Sequence, residues 1–150
     1  MEKQGFTTQT LSEIQKILPA EQVKCDESSL TLFAKDWSVK TASQPSAVLL
    51  PKSIAEIQKI VLWARRHGVG LVPSGGRTGL SGGALAPNRE VIVNMQLMNR
   101  IIGFEPTDAM MECEAGVITE EVQNQANRYD LFYPIDFAAK GSSQIGGNIA

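Results

Sequence analysis

Two stretches of this sequence hold residues whose types and spacing could do chemistry. Pro73 to Ala84 reads Pro-Ser-Gly-Gly-Arg-Thr-Gly-Leu-Ser-Gly-Gly-Ala, with five glycines among twelve residues. Glycine costs up to about 1 kcal/mol relative to alanine inside a regular element, so a shaped loop is expected here rather than a helix or strand. Backbone without Cβ atoms can turn several N–H groups toward one point, as a bound phosphate or pyrophosphate requires. On composition alone, a flexible surface connection explains the loop equally well. The second stretch is Gly141-Ser-Ser-Gln-Ile-Gly-Gly-Asn-Ile-Ala150, and eight of the chain's thirteen glycines fall between Gly75 and Gly83 or between Gly141 and Gly147. Two such loops, separated by regular structure, could hold opposite sides of one extended ligand.

Other reactive groups are sparse. Gly79 is followed by Leu80 and Ser81 and the loop has no lysine, which argues against the Walker pattern and against nucleoside triphosphate hydrolysis. Gly68-Val-Gly70 precedes an expected strand instead of opening a helix, and no acidic residue follows at the required interval, so a Rossmann nicotinamide site is not indicated. Cys25 and Cys113 are isolated and His67 is the single histidine. Neither a disulfide framework nor a zinc site is expected, and both thiols read as buried or inert. A net charge of −2 offers no footprint for DNA or RNA, whose binding rests on clustered lysine and arginine.

The first loop is positioned by the segment ahead of it. Ala47 to Leu50 reads as a buried strand closed by Pro51. Ser53-Ile-Ala-Glu56 is a capping box, and Ile54, Ile57, Ile60, Val61 and Ala64 follow on one helical face. Arg65, Arg66 and His67 fill the last turn, where cations suit the helix dipole, and Gly68 supplies a left-handed cap. That position accounts for His67 without a catalytic role. With Gly70 to Val72 as the next strand, Ala47 to Val72 forms a β-α-β unit with parallel strands and a right-handed crossover. The glycine loop then leaves the carboxyl end of a parallel strand, where α/β folds bind ligands, and the anion cradle becomes the favoured reading.

Upstream, Thr10-Leu-Ser-Glu13 resembles a capping box, with Leu11, Ile14 and Leu18 at helical spacing until Pro19. Asp26 to Ala34 is expected to be a second helix with Asp26 as N-cap, and Asp36 to Pro45 a loop. Downstream, Val91 to Met95 reads as a strand. Ile101 to Phe104 and Met110 to Glu114 read as an antiparallel hairpin around Glu105-Pro106-Thr107-Asp108, and Thr119 to Tyr129 as a helix presenting Ile118, Val122, Ala126 and Tyr129. No apolar run approaches the ~20 residues that span a bilayer, and the first six residues lack signal-peptide features. A cytoplasmic location is the expectation.

Several of these segments together resemble one family. Val48-Leu-Leu-Pro51 and the helix after it, Val72 to Gly83, Glu114-Ala-Gly-Val117, and Pro134-Ile-Asp136 through Ala150 are similar to the FAD-binding domain of the vanillyl-alcohol oxidase/p-cresol methylhydroxylase superfamily. Within it, the chain most resembles the D-2-hydroxyacid dehydrogenases of the D-2-hydroxyglutarate and D-lactate branch. The resemblance runs from Trp37 to Ala150. It implies an FAD pyrophosphate wrapped by Pro73, Ser74, Gly75, Gly76, Arg77, Thr78, Gly79 and Ser81. It places Pro134, Asp136, Gly141, Ser142, Ile145, Gly146, Gly147 and Ala150 along the flavin and its ribityl-phosphate side. Thr78 stands where covalent-flavin members carry a histidine, which implies a flavin held without a covalent bond. Arg77 is either a phosphate ligand or an exposed arginine lending only its amide, and Lys140 has the same two readings with a solvated side chain favoured. Asp136 is an active-site group or a buried turn-former, and Trp37 and Trp63 are expected to be packing residues.

The implied fold class is α+β. An N-terminal helical segment over 1–45 precedes a PCMH-type FAD-binding domain over 46–150, with a small parallel β-α-β lobe and a second, mainly antiparallel lobe. The implied parent reaction oxidises a D-2-hydroxy acid to the 2-oxo acid. No catalytic residue or metal ligand of the family matches a position of this sequence, and relatives continue beyond Asn148-Ile-Ala150. An incomplete, N-terminal fragment is therefore expected, with FAD and, in the full-length parent, a small 2-hydroxy acid as partners. The competing expectation is a catalytically inert flavin-binding or structural module that acts by association, homo-oligomers included.

Overall fold

The computed structural model describes residues 6–38 and 42–150. The first five residues and Val39, Lys40 and Thr41 of the expected loop before Pro45 lie outside the described residues. Strand β1 is Val23–Lys24, β2 Ala47–Leu49, β3 Leu71–Ser74 and β4 Val91–Asn94, and they form one sheet in the order β1-β2-β4-β3. Ala47 and Leu71 both pair with Val91 in parallel, and β1 runs antiparallel along the β2 edge. The expected β-α-β unit is present, with β4 lying between its two strands.

Side chains alternate across this sheet with the period of two that a strand dictates. Ala47, Leu49, Val91 and Val93 face helix α3 (Ile54–His67), while Val48, Leu50 and Ile92 face Phe33 of α2 (Glu27–Phe33) and Ala86. Both faces are covered, which explains strands that read as unbroken apolar runs. Asp26 caps α2 through its carboxylate, which accepts the Ser29 N–H at 2.9 Å. The Ser28 hydroxyl and that N–H hold the Asp26 carboxyl well below the usual carboxylate range.

Helix α3 begins where Ser53 Oγ accepts the Glu56 N–H at 3.2 Å and ends at Gly68, whose φ is 63°. The box is only half formed: the Glu56 carboxylate accepts from Lys52 N–H at 2.7 Å and from Gln22 Nε2 at 2.9 Å. Packing, not the cap, sets the buried seam, which differs from the expected face. Ile60, Trp63 and Ala64 are buried, whereas Ile54 and Val61 are exposed to 69% and 49%. Trp63 meets the Phe6 ring edge-on at 6.3 Å and the His67 ring at 5.9 Å, and His67 Nε2 lies 2.6 Å from Glu13 Oε2.

Helix α1 (Thr8–Ile14) starts three residues earlier than expected, because Thr7 and Thr10, not Thr10 and Glu13, form the reciprocal cap. It ends at Ile14, and Leu18 reaches the core from beyond the helix. Trp37, expected to pack, is 72% exposed. Cys25 is likewise exposed and Cys113 half-buried, with neither in a disulfide. Partial burial raises both thiols, the neighbouring Asp26 charge adding to the effect at Cys25, so both stay protonated near neutrality.

The second lobe is a hairpin, β5 (Ile101–Glu105) with β6 (Met110–Cys113), followed by α4 (Thr119–Asn127) and a short helix α5 (Ile145–Ile149). Val117, Val122 and Ile145 form its core. The lobes join at Gly116, where a Cβ would overlap the Met95 carbonyl oxygen, and at Glu114. Buried Glu114 accepts the Arg100 N–H at 2.9 Å and the guanidinium at 2.7 Å. Among the described residues no helix is long and apolar enough to cross a membrane, and no cluster of three metal-ligating side chains occurs.

The Arg100 side chain, and then its N–H, hold the Glu114 carboxyl below the ordinary range. A carboxyl depressed in the fold adds stability above its unfolded pKa of about 4.3, and loses it as pH falls through the lower folded value. Urea titrations from pH 6 to pH 3 will show this loss in the native sequence and a flatter profile for Glu114→Gln.

Candidate functional site

Strands β3 and β4 end side by side at Ser74 and Asn94, and the fully buried Asn94 fastens the loop that follows. Its Nδ2 donates to the Gly75 carbonyl at 3.0 Å and to Ser74 Oγ at 3.3 Å, and its Oδ1 accepts the Gln96 N–H at 3.1 Å. Beyond that anchor, among the described residues, the backbone N–H groups from Gly75 to Ala84 donate no hydrogen bond within the protein. A run of free amides on a loop pinned at its base is a donor surface awaiting acceptors.

Arg77 sits in this run with φ at 57°, a conformation costly for a residue with a Cβ. Its guanidinium stacks on the Phe33 ring, 4.8 Å from the centroid, and burial lowers its pKa. The reading of Arg77 as merely exposed is corrected: a half-buried side chain is held on α2.

The second glycine stretch is tied differently. Ser143 Oγ donates to Asn148 Oδ1, Asn148 Nδ2 donates to Thr119 Oγ1, and Thr119 N–H donates to the Ser143 carbonyl at 2.9 Å. Most of its amides are consumed internally: Ile145 and Gly146 donate to the carbonyls of Val117 and Ala115 at 2.8 and 2.9 Å. The two stretches meet at Gly76, where a Cβ would overlap the carbonyl oxygen of Ser142.

Between them lies a cavity of about 730 Å³. That volume is within the range of sites that enclose a cofactor-sized ligand. Of the residues singled out from sequence, the structure brings Pro73, Ser74, Gly75, Gly76, Arg77, Thr78, Gly79, Ser81, Gly146, Gly147 and Ala150 to its wall. Pro134, Asp136, Gly141, Ser142 and Ile145 are not on that wall. Ile145 is buried in the second core, and Ser142 backs Gly76. Asp136 is exposed rather than buried, and pairs with Lys140 at 3.0 Å. Asp36, Met95, Gln144 and Asn148 line the cavity without having been anticipated. Gln144 and Asn148 stood inside the quoted glycine stretch, while Asp36 and the fastener Asn94 carried no spacing signal.

Residues 45–150 match the family model described as FAD binding domain. The chain belongs to that family. Its cofactor is FAD. The chain is 48% identical over 139 residues to D-2-hydroxyglutarate dehydrogenase of Stutzerimonas stutzeri, covering 93% of this chain and 30% of that protein. It is 41% identical over 145 residues to the enzyme of that name from Xanthomonas citri pv. viticola, covering 97% and 31%. A putative mitochondrial D-lactate dehydrogenase of Schizosaccharomyces pombe is 33% identical over 81% of this chain and 23% of its own length. The chain thus spans about 30% of the length of the first two relatives. Among solved structures, alkyldihydroxyacetonephosphate synthase superposes with a TM-score of 0.83 at 19% identity, covering 98% of this chain and 29% of that one. p-Cresol methylhydroxylase with substrate bound gives 0.74 at 20%, covering 92% and 28%. At such identities these structures establish the PCMH-type fold alone.

The residues present fit the cofactor. Free amides on the first loop are the donors a diphosphate lacks, and side chains at Gly79, Gly83 or Gly147 would meet no atom within 4 Å among the described residues. Those glycines keep open space that a bound group can take up. Gly76→Ala tests the loop contact that frames the cavity. Forcing a methyl against the Ser142 backbone will destabilise the fold by about 1–3 kcal/mol in urea titration, and FAD affinity measured on the remaining folded protein will fall.

Proposed function

We propose that this chain holds FAD without a covalent bond in the cavity between its two glycine stretches. The parent protein, on this reading, is a flavin-dependent dehydrogenase that oxidises D-2-hydroxyglutarate or a similar D-2-hydroxy acid to the 2-oxo acid. The observation that carries the cofactor site is the run of amides from Gly75 to Ala84, undonated among the described residues, along the wall of a cavity of about 730 Å³. The names of the relatives at 48% and 41% identity support the substrate class.

Bound FAD supplies a two-electron acceptor for the hydride leaving carbon 2 of the hydroxy acid. What this chain contributes is binding and orientation. Loop amides hold the diphosphate oxygens, Asn94 holds the loop, and the Gly76 contact with Ser142 sets the distance between the cavity's two sides. Ser142 backs the wall at Gly76, and Ile145 anchors the second stretch in the core of its lobe. Among the described residues no histidine, cysteine or tyrosine side chain lines the cavity, and His67 is engaged with Glu13, which favours the non-covalent state. A cytoplasmic location belongs to the same proposal and rests on the bacterial relatives.

A second reading, association without catalysis, draws on exposed Phe132 and Ile149, at 79% and 78%. Titration decides between them. The purified chain is expected to quench flavin fluorescence with a micromolar or tighter Kd and to gain thermal stability with added FAD. Protein that self-associates yet neither takes up FAD nor gains stability with it would overturn the cofactor reading. In a protein of the relatives' full length carrying this chain, D-2-hydroxyglutarate is expected to bleach the flavin anaerobically, and the L enantiomer to leave it oxidised.

A further inference from the structure

We propose that Asp36 and Gln144 read sugar hydroxyls at the two ends of the first glycine loop, selecting a ligand with a sugar on both sides of its diphosphate. This inference rests on the FAD reading above and deepens it to specificity.

Both side chains line the cavity, and each has one enclosed oxygen, Asp36 Oδ2 and Gln144 Oε1, with no hydrogen-bond partner among the described residues. Gln144 is only 9% exposed. Buried acceptors of this kind are rare in native proteins, because a desolvated polar group without a partner is costly.

Their placement along the loop is ordered. Gln144 Oε1 lies 3.1 Å from where a Cβ of Gly75 would stand, at the loop's entry. Asp36 belongs to a segment fixed further along, where the Trp37 N–H donates to the Gly79 carbonyl at 3.0 Å. Ser38 supplies both its N–H, at 2.7 Å, and its hydroxyl to Asp36 Oδ1, so one carboxylate oxygen is committed and the other is spare. Between the two acceptors run the free amides.

The wall therefore presents acceptor, donors, acceptor. A diphosphate offers acceptors only and matches the middle. It cannot satisfy either end, and the Asp36 carboxylate repels it. A hydroxyl can donate to both ends. FAD carries a ribityl chain on one side of its diphosphate and a ribose on the other, which reproduces the order. In the second stretch Ile145, Gly146 and Gly147 spend their amides on Val117, Ala115 and Gln144 carbonyls, so those three do not compete.

Calorimetric titration of the full chain tests this with FAD and with two overlapping parts of it, ADP and FMN. Gln144→Met keeps the volume and removes the orphaned amide, so the ligand-free protein is expected to melt at a higher temperature while FAD binds about tenfold more weakly. Asp36→Ala is expected to weaken FAD about tenfold as well. Ser38→Ala, which keeps the carboxylate in the cavity, is expected to stay within about twofold of the native chain. ADP and FMN, each with a sugar on one side, should each respond to one of the two substitutions and not to the other.

Native FAD affinity in either variant, a lowered melting temperature for Gln144→Met, or a Ser38→Ala loss equal to that of Asp36→Ala overturns this proposal alone. A native chain that takes up no FAD, with Gln144→Met still raising the melting temperature, overturns the cofactor reading and this proposal with it.

Discussion

Backbone meets backbone at Gly76 and Ser142 with no room for one additional carbon, and the candidate site depends on that contact. Any side chain at Gly76 would drive the first loop off the second stretch and widen the cavity between them. The contact is held from both sides by polar networks in which Asn94, Thr119 and Ser143 are buried. Asn94 grips the Gly75 carbonyl at the end of β4, and the Thr119, Ser143 and Asn148 network fixes the segment that carries Ser142. Each network is fully satisfied, the condition under which a buried polar group rigidifies instead of destabilising.

That rigidity explains a division of labour. The second stretch uses its Ile145 and Gly146 amides to fasten α5 to Val117 and Ala115, and so cannot offer those to a ligand. The first loop is anchored by a side chain instead, which leaves its own amides unspent. Preorganised donors of this kind need not be ordered again when an anion arrives, so more of the interaction appears as affinity. Alkyldihydroxyacetonephosphate synthase and p-cresol methylhydroxylase share this fold at 19% and 20% identity under names describing different chemistry. The fold accounts for the cofactor; the reaction must come from groups set around it.

Much of this frame is legible in the residue order. Ser53 and Gly68 bracket α3 because a hydroxyl cap and a left-handed glycine are local signals, and Val91 to Val93 announces a buried strand by being apolar throughout. The misses have physical causes. Insertion of β4 between β2 and β3 is a pairing across the chain, invisible to local periodicity. Ile57 to Ala64 contains two overlapping apolar seams, and packing such as that of Trp63 on Phe6 chooses between them. At the site, glycine loops betray themselves by composition. Asn94, Asp36 and Gln144 act through where the fold carries them, and a lone polar residue at the end of a strand or helix looks the same with or without such a role.

Hydrogen exchange of the chain with and without FAD tests the central claim most directly, because it reads the amides themselves. Bound FAD is expected to slow exchange across Gly75 to Ala84, where amides are unpaired in the free protein, with little change in β5 and β6. FAD bound at saturating concentration with exchange across Gly75 to Ala84 unaltered would contradict the account.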